Sequence, residues 1–201
     1  MGDSDGTSAS AAPSGADSFP PASSTAEQTL RVDFYVLEGT GTPARLKVAC
    51  RLAEKAYLAS QRALIWHTDR AELEMLDELL WTFADGSFVP HDWLTSNGFP
   101  GVSSGIDNSP GRVSEVSPDS RQRLLETSAE APVLLSAGSA PAVPFDFVVN
   151  LAAELPPFLH LTRRIGEIVD GDEERRRAGR ARFKAYRELG VEPVTHTLRA
   201  E

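Results

Sequence analysis

Between Arg31 and Phe83 the chain alternates apolar patterns of strand length with apolar patterns of helix length, and this rhythm constrains the fold more than any single motif. Arg31-Val32-Asp33-Phe34-Tyr35-Val36-Leu37 is rich in β-branched and aromatic residues and runs into turn chemistry at Gly39-Thr40-Gly41-Thr42-Pro43, so it reads as a strand. Pro43 suits the first turn of a helix, on which Leu46, Ala49, Cys50, Ala53, Ala56 and Tyr57 form one stripe. Arg62-Ala63-Leu64-Ile65-Trp66 is again of strand length, and Asp69 can cap a second helix with Leu73, Leu76, Leu79, Leu80 and Phe83 on its inner face. Strand, helix, strand, helix in this order predicts a parallel sheet with helices packed on it.

The pattern weakens after Asp85-Gly86. From Leu94 to about Glu130 the chain is rich in Ser, Gly, Asp and Pro, which predicts a long surface loop. Strand signals return at Pro132–Ser136, Phe145–Leu151 and Arg164–Val169, and Asp172 can cap a strongly basic helix. Glu192 to Arg199 alternates as an edge strand does. Residues 1–29 are dominated by Ser, Ala, Gly, Pro and Asp, with Phe19 the only large aromatic side chain, and are expected to form a disordered extension. Residues 30–201 are then one α/β domain, with the long loop at about 94–130.

A net charge of -9 opposes general affinity for nucleic acid, since a polyanion repels an acidic protein at long range. Seven of the 20 basic residues nevertheless fall between Arg175 and Arg187, so anion binding is expected to be local to that helix. At 3.6 residues per turn, Ala178, Ala181, Ala185 and Leu189 share a small apolar face, flanked by Arg182 and Tyr186. Arg176, Arg180, Phe183 and Arg187 fall opposite, with Lys184 beside them. An aromatic ring among guanidinium groups suits a ligand with an apolar anchor and a carboxylate, whereas the simpler reading is a solvated helix whose Phe is covered by arginine stems.

Other chemistry finds little support in the residues. Gly39-Thr40-Gly41-Thr42 lies where phosphate cradles are built but lacks the Lys-Ser/Thr pair of a P-loop. The four histidines stand at no recurring metal-ligand spacing, and Cys50 sits on a helix stripe with no evident base. A single cysteine excludes an internal disulfide, no apolar run approaches bilayer length, and the N-terminus does not read as a signal peptide, so a cytoplasmic protein is expected. Phe88-Val89-Pro90-His91 reads either as core-closing residues, which composition favours, or as an apolar patch for a partner.

Four stretches, taken in order, carry a resemblance: Val32-Asp33-Phe34-Tyr35-Val36-Leu37, the helix end at Leu79-Leu80-Trp81, Ser87-Phe88-Val89-Pro90-His91, and Arg180-Ala181-Arg182-Phe183-Lys184-Ala185-Tyr186-Arg187. They resemble the chi subunits of bacterial DNA polymerase III, accessory proteins of the clamp-loader complex. The resemblance covers roughly Leu30 to Arg199 apart from the long loop. It implies a three-layer α/β fold, a mostly parallel sheet with helices on both faces, like nucleotide-binding folds but without a P-loop, without catalysis and without a cofactor.

It also implies two binding surfaces. One takes the acidic C-terminal tail of single-stranded DNA-binding protein, which ends in Ile-Pro-Phe with a free carboxylate. By motif position Arg180 would hold that carboxylate, Phe183 and Val169 would line the pocket for the terminal ring, and Lys184, with Arg176 and Arg187 on the same helix, would face the acidic residues. The family commonly has Tyr where this chain has Phe183. The second surface, at Phe88 and Val89, would take the psi subunit, and a helicase could compete with psi there. Two rival readings are a direct single-stranded nucleic-acid binder that uses the basic helix with Phe183 as a stacking platform, and a nucleotide-dependent enzyme that uses the Gly39 loop.

Overall fold

A computed structural model of the chain describes residues 29–94 and 132–199. The expected N-terminal extension, Thr29 excepted, and the expected loop, Leu94 excepted, lie outside the described residues. In chain order the elements are β1 (Arg31–Glu38), α1 (Thr42–Leu58), β2 (Ala63–His67), α2 (Arg70–Thr82), β3 (His91–Trp93), β4 (Val133–Ala137), β5 (Phe145–Asn150), a 3-10 turn at Leu159–Leu161, β6 (Thr162–Val169), α3 (Glu173–Glu188) and β7 (Val194–Arg199). Local chemistry accounts for the helix starts. Pro43 opens α1, the Asp69 carboxylate accepts from the Ala71 and Glu72 N–H groups, and the Asp172 carboxylate accepts from Arg175 N–H at 3.0 Å.

The strands form one seven-stranded sheet in the order β3-β4-β2-β5-β6-β1-β7, with every pairing parallel. Alternation along each strand divides the core into two layers. Leu37, Ile65, Leu135, Val149 and Ile168 face α1 and α2, whereas Phe34, Trp66, Leu134, Val148 and Ile165 face α3 and Phe158. Helices therefore cover both faces. Cys50 is fully buried beneath α1, where burial pushes its thiol up to about 12, so it serves as a small apolar side chain.

Two features depart from the sequence reading. His91–Trp93 is a short parallel edge strand on β4, registered His91 to Val133, and three residues are too few to show a period. The second departure concerns α3. Its inward face is Gly179, Arg182 and Tyr186, with Phe183 half-buried, whereas Ala181 is exposed and Leu189 is 61% exposed. The cause lies on β6. Glu167 points into the same layer as Ile165 and is fully buried, which is tolerable only with compensating donors. Arg182 Nε donates to it at 2.8 Å, Tyr186 Oη at 2.7 Å and Asn150 Nδ2 at 3.0 Å. Gly179 permits the approach, because a Cβ there would lie 2.8 Å from Val169 Cγ2. A buried carboxylate thus set the rotation of the helix against the order of side-chain hydrophobicity.

Candidate functional site

With α3 held in that rotation, its next residues along the surface border a cavity of about 360 Å³. Phe34 and Val36 of β1, Val169 at the end of β6 and Thr195 of β7 form its floor and one wall; Arg176, Gly179, Arg180 and Phe183 of α3 form the other. Phe34 and Phe183 meet with ring centroids 5.2 Å apart at a 60° tilt, so the deep part of the cavity is apolar. The two arginines stand at its rim. Arg180 Nη2 donates to Glu173 Oε1 at 2.9 Å in an exposed pair that a stronger anion can displace, and Arg176 has no ion-pair partner among the described residues. An apolar recess with exposed guanidinium groups at its mouth can hold an aromatic or aliphatic side chain and, beside it, a carboxylate.

Of the residues singled out in the sequence, the structure brings Val169, Arg176, Arg180 and Phe183 to this one cavity. Lys184 and Arg187 are not among its lining residues. Lys184 Nζ lies 3.6 Å from Glu188 Oε1 and Arg187 Nε 3.6 Å from Glu192 Oε2, both on the exposed surface of the helix. The sequence reading missed Phe34, Val36, Gly179 and Thr195. Phe34 and Val36 carried a usable signal, since alternation puts both on one face of β1, and a glycine inside a helical pattern marks close approach. Thr195 carried none, because only the pairing of β7 beside β1 brings it there.

Phe88 and Val89 point to opposite environments. Phe88 is 60% exposed and leans on Trp81, itself 48% exposed, with ring centroids 5.0 Å apart, and the His91 ring lies 4.7 Å from that of Trp81. Val89 is fully buried in the layer under α2. This corrects the expectation that Val89 shares the surface: it is a core residue, and the exposed patch consists of Phe88 and Trp81, with the His91 side chain buried against Trp81. A hydrogen bond from Ser87 Oγ to Glu54 Oε1 at 2.6 Å holds the preceding turn against α1.

At the carboxyl ends of the strands, where folds of this type bind nucleotides, the glycine loop is engaged internally. The Gly41 N–H donates to Asp170 Oδ2 at 3.1 Å, and Arg175 clamps the same carboxylate through Nε at 2.7 Å and Nη2 at 2.8 Å. Burial alone would raise the Asp170 carboxyl; the bonds from Arg175 and the Gly41 N–H outweigh it and hold it below its ordinary range. Among the described residues no cluster of three or more His, Cys, Asp or Glu could hold a metal ion. Nor is any described helix long and apolar enough to cross a membrane.

Fold and surface together define an α/β domain of nucleotide-binding type that carries an apolar groove with basic rims and, apart from it, an exposed aromatic patch. The family model "DNA polymerase III chi subunit, HolC" matches residues 30–100 and 117–194, and the chain belongs to that family, as a replication accessory subunit. The DNA polymerase III subunit chi of Pseudomonas aeruginosa is 34% identical over 168 residues, covering 84% of this chain and 96% of that protein. The Haemophilus influenzae subunit is 25% identical over 158 residues, covering 78% and 90% respectively. Among solved structures, T4 UvsW superposes with a TM-score of 0.56 at 10% identity, over 87% of this chain and 42% of that one, a likeness of fold alone.

Proposed function

We propose that this chain is a noncatalytic adaptor that links the polymerase III clamp loader to single-stranded DNA coated by its binding protein. The groove beside α3 takes the C-terminal tail of single-stranded DNA-binding protein. The observation that carries this reading is the apolar recess between Phe34, Val169 and Phe183 with Arg180 and Arg176 at its mouth. A terminal aromatic side chain fills the recess and its own α-carboxylate reaches Arg180. An internal residue has no such carboxylate, so the site selects a chain end. Apolar burial and the charge-assisted contact contribute on the order of 1–3 kcal/mol each. Lys184 and Arg187, outside the recess, draw in the acidic residues that precede the terminus, a contribution that added salt screens.

The Phe88 patch takes psi, with Trp81 completing the apolar contact, and a helicase that uses the same surface competes with psi. Nucleic acid is then engaged mainly through the binding protein. The test is fluorescence polarisation of a labelled acidic peptide ending in Ile-Pro-Phe against the same peptide with a C-terminal amide. Binding lost on amidation is the expected result. Equal binding of both peptides, or of neither, would reduce Arg180 and Phe183 to a basic surface helix.

A further inference from the structure

We infer that a trough between α1 and β7, on the opposite face of the sheet from the α3 groove, is a direct contact for single-stranded nucleic acid. The inference is independent of the chain-end reading and adds a second ligand. On this face α1 packs chiefly over β2, β5 and β6, with α2 beyond it, so the helix ends short of the β1–β7 edge. The space beside it is a recess of about 400 Å³ with Tyr35, Val48, Leu52 and Leu198 on its floor. Tyr35, Leu52 and Lys55 also line a second recess of about 180 Å³ beside Gln61 and Arg164, so the two form one trough.

Cations line the trough on both sides: Arg51 and Lys55 of α1, Arg199 of β7, and Arg164 of β6 at its far end. None of its described lining residues is a carboxylate. Lys47, Arg51 and Lys55 recur at four-residue spacing, about 6 Å apart along the helix, and so continue the charge as a row. The one carboxylate of α1, Glu54, accepts from Ser87 Oγ instead. Asp33 is fully buried and is already met by Arg31, Arg164 and His196, and Glu38 is registered beside Arg199 without lining the trough. The net charge of -9 is no local obstacle, because residues 29–94 and 132–199 hold 17 basic and 19 acidic side chains and the rest of the excess lies elsewhere in the chain.

An extended trough with a row of cations above an apolar floor suits a polymer that carries a phosphate and an apolar base in every unit. Tyr35 is fixed in advance: Arg164 Nη2 donates to its Oη at 3.1 Å, and the His196 ring stacks on it at 5.2 Å and 21°. The same edge strand serves both sites, since Thr195 borders the α3 groove and Leu198 the trough. A strand lying next to a bound chain end is therefore held on the other face of that edge.

The experiment uses the full chain without its partners and follows anisotropy of a labelled oligo-thymidylate between about 20 and 200 mM salt. The unaltered chain should bind it more weakly as salt rises. Lys55→Ala/Arg199→Ala, two exposed side chains, should lower affinity about ten- to thirtyfold at about 0.1 M salt and reduce the salt slope by about 1.4, as two lost phosphate contacts require. Arg180→Ala should leave oligonucleotide binding within about twofold. Absence of binding at the lowest salt would overturn the inference, as would a loss in Arg180→Ala with none in the double variant, which would assign nucleic acid to α3. Amide resonances of Leu52 and Leu198 should shift with the oligonucleotide; a shift with an oligo-glutamate peptide but not with the oligonucleotide would make the trough a protein contact and overturn it. The acidic peptide ending in a free-carboxylate Phe is titrated alongside and should bind the double variant as it binds the unaltered chain, so that failure of the chain-end reading shows separately.

Discussion

The groove beside α3 and the patch by α2 each present a phenylalanine at an opposite edge of the same sheet, yet they differ in enclosure and in charge. Phe183 is half-buried in a concavity whose walls come from β1, β6, β7 and α3. Phe88 is exposed and leans on Trp81, whose ring packs in turn on His91. A recess with charged rims suits recognition of a chemical group, because whatever enters must fit inside it. An exposed aromatic pair suits recognition of an area, because it gains only by being covered. The two regions are therefore open to separate disruption.

The largest effect should come from beneath the groove. Glu167→Ala leaves Arg182 buried without its carboxylate and removes the acceptor of Tyr186, which should cost about 3–5 kcal/mol in urea unfolding. A loss below about 1 kcal/mol would mean that the carboxylate does not set the rotation of α3. At the groove's mouth, Arg180→Ala should weaken the acidic peptide about ten- to a hundredfold by fluorescence polarisation, corresponding to roughly 1–3 kcal/mol, with unfolding unchanged because the side chain is exposed. Unchanged peptide affinity would place the carboxylate elsewhere.

The patch offers its own internal control. Val89→Ala should destabilise by about 2 kcal/mol because it opens a cavity under α2, whereas Phe88→Ala should change stability by less than about 1 kcal/mol and abolish binding of psi. If Phe88→Ala unfolds the domain as Val89→Ala does, the ring belongs to the core and the contrast between the two regions collapses.

The smallest effect concerns β7, which supplies Thr195 to the groove. Asp33 is buried, which alone would raise its carboxyl, but His196, Arg31 and Arg164 all bond to it and together hold it near about 2 against an ordinary 3.8. A carboxyl lowered by folding stabilises the native state above its unfolded value of 3.8 and loses that contribution as the pH falls through about 2. Between pH 7 and pH 3 the loss should be about 1 kcal/mol. Urea midpoints at the two pH values should differ less in Asp33→Asn than in the unaltered chain; equal differences would show that this carboxylate is not what pins β7.

The sequence by itself determined most of the elements and their order, β3 excepted. Period, turn residues and caps are local: Asp69, Asp172 and Pro43 act within a few residues of where they stand, so β1, α1, β2, α2 and α3 were legible from them. It also put Arg176, Arg180 and Phe183 on one face of a helix, and the family resemblance added Val169; in the structure all four line one cavity. Three matters were left to the tertiary structure. The inward face of α3 was decided by Glu167, whose charge outweighed the apolar stripe of alanines. The far wall of the groove was decided by the pairing of β7 with β1, which joins Thr195 to Phe34. Phe88 and Val89, adjacent in the chain, were sent to surface and core by the turn that docks on α1 through Ser87. In each case the deciding partner is distant in the chain, and no local pattern reports what a residue will meet once the layers close.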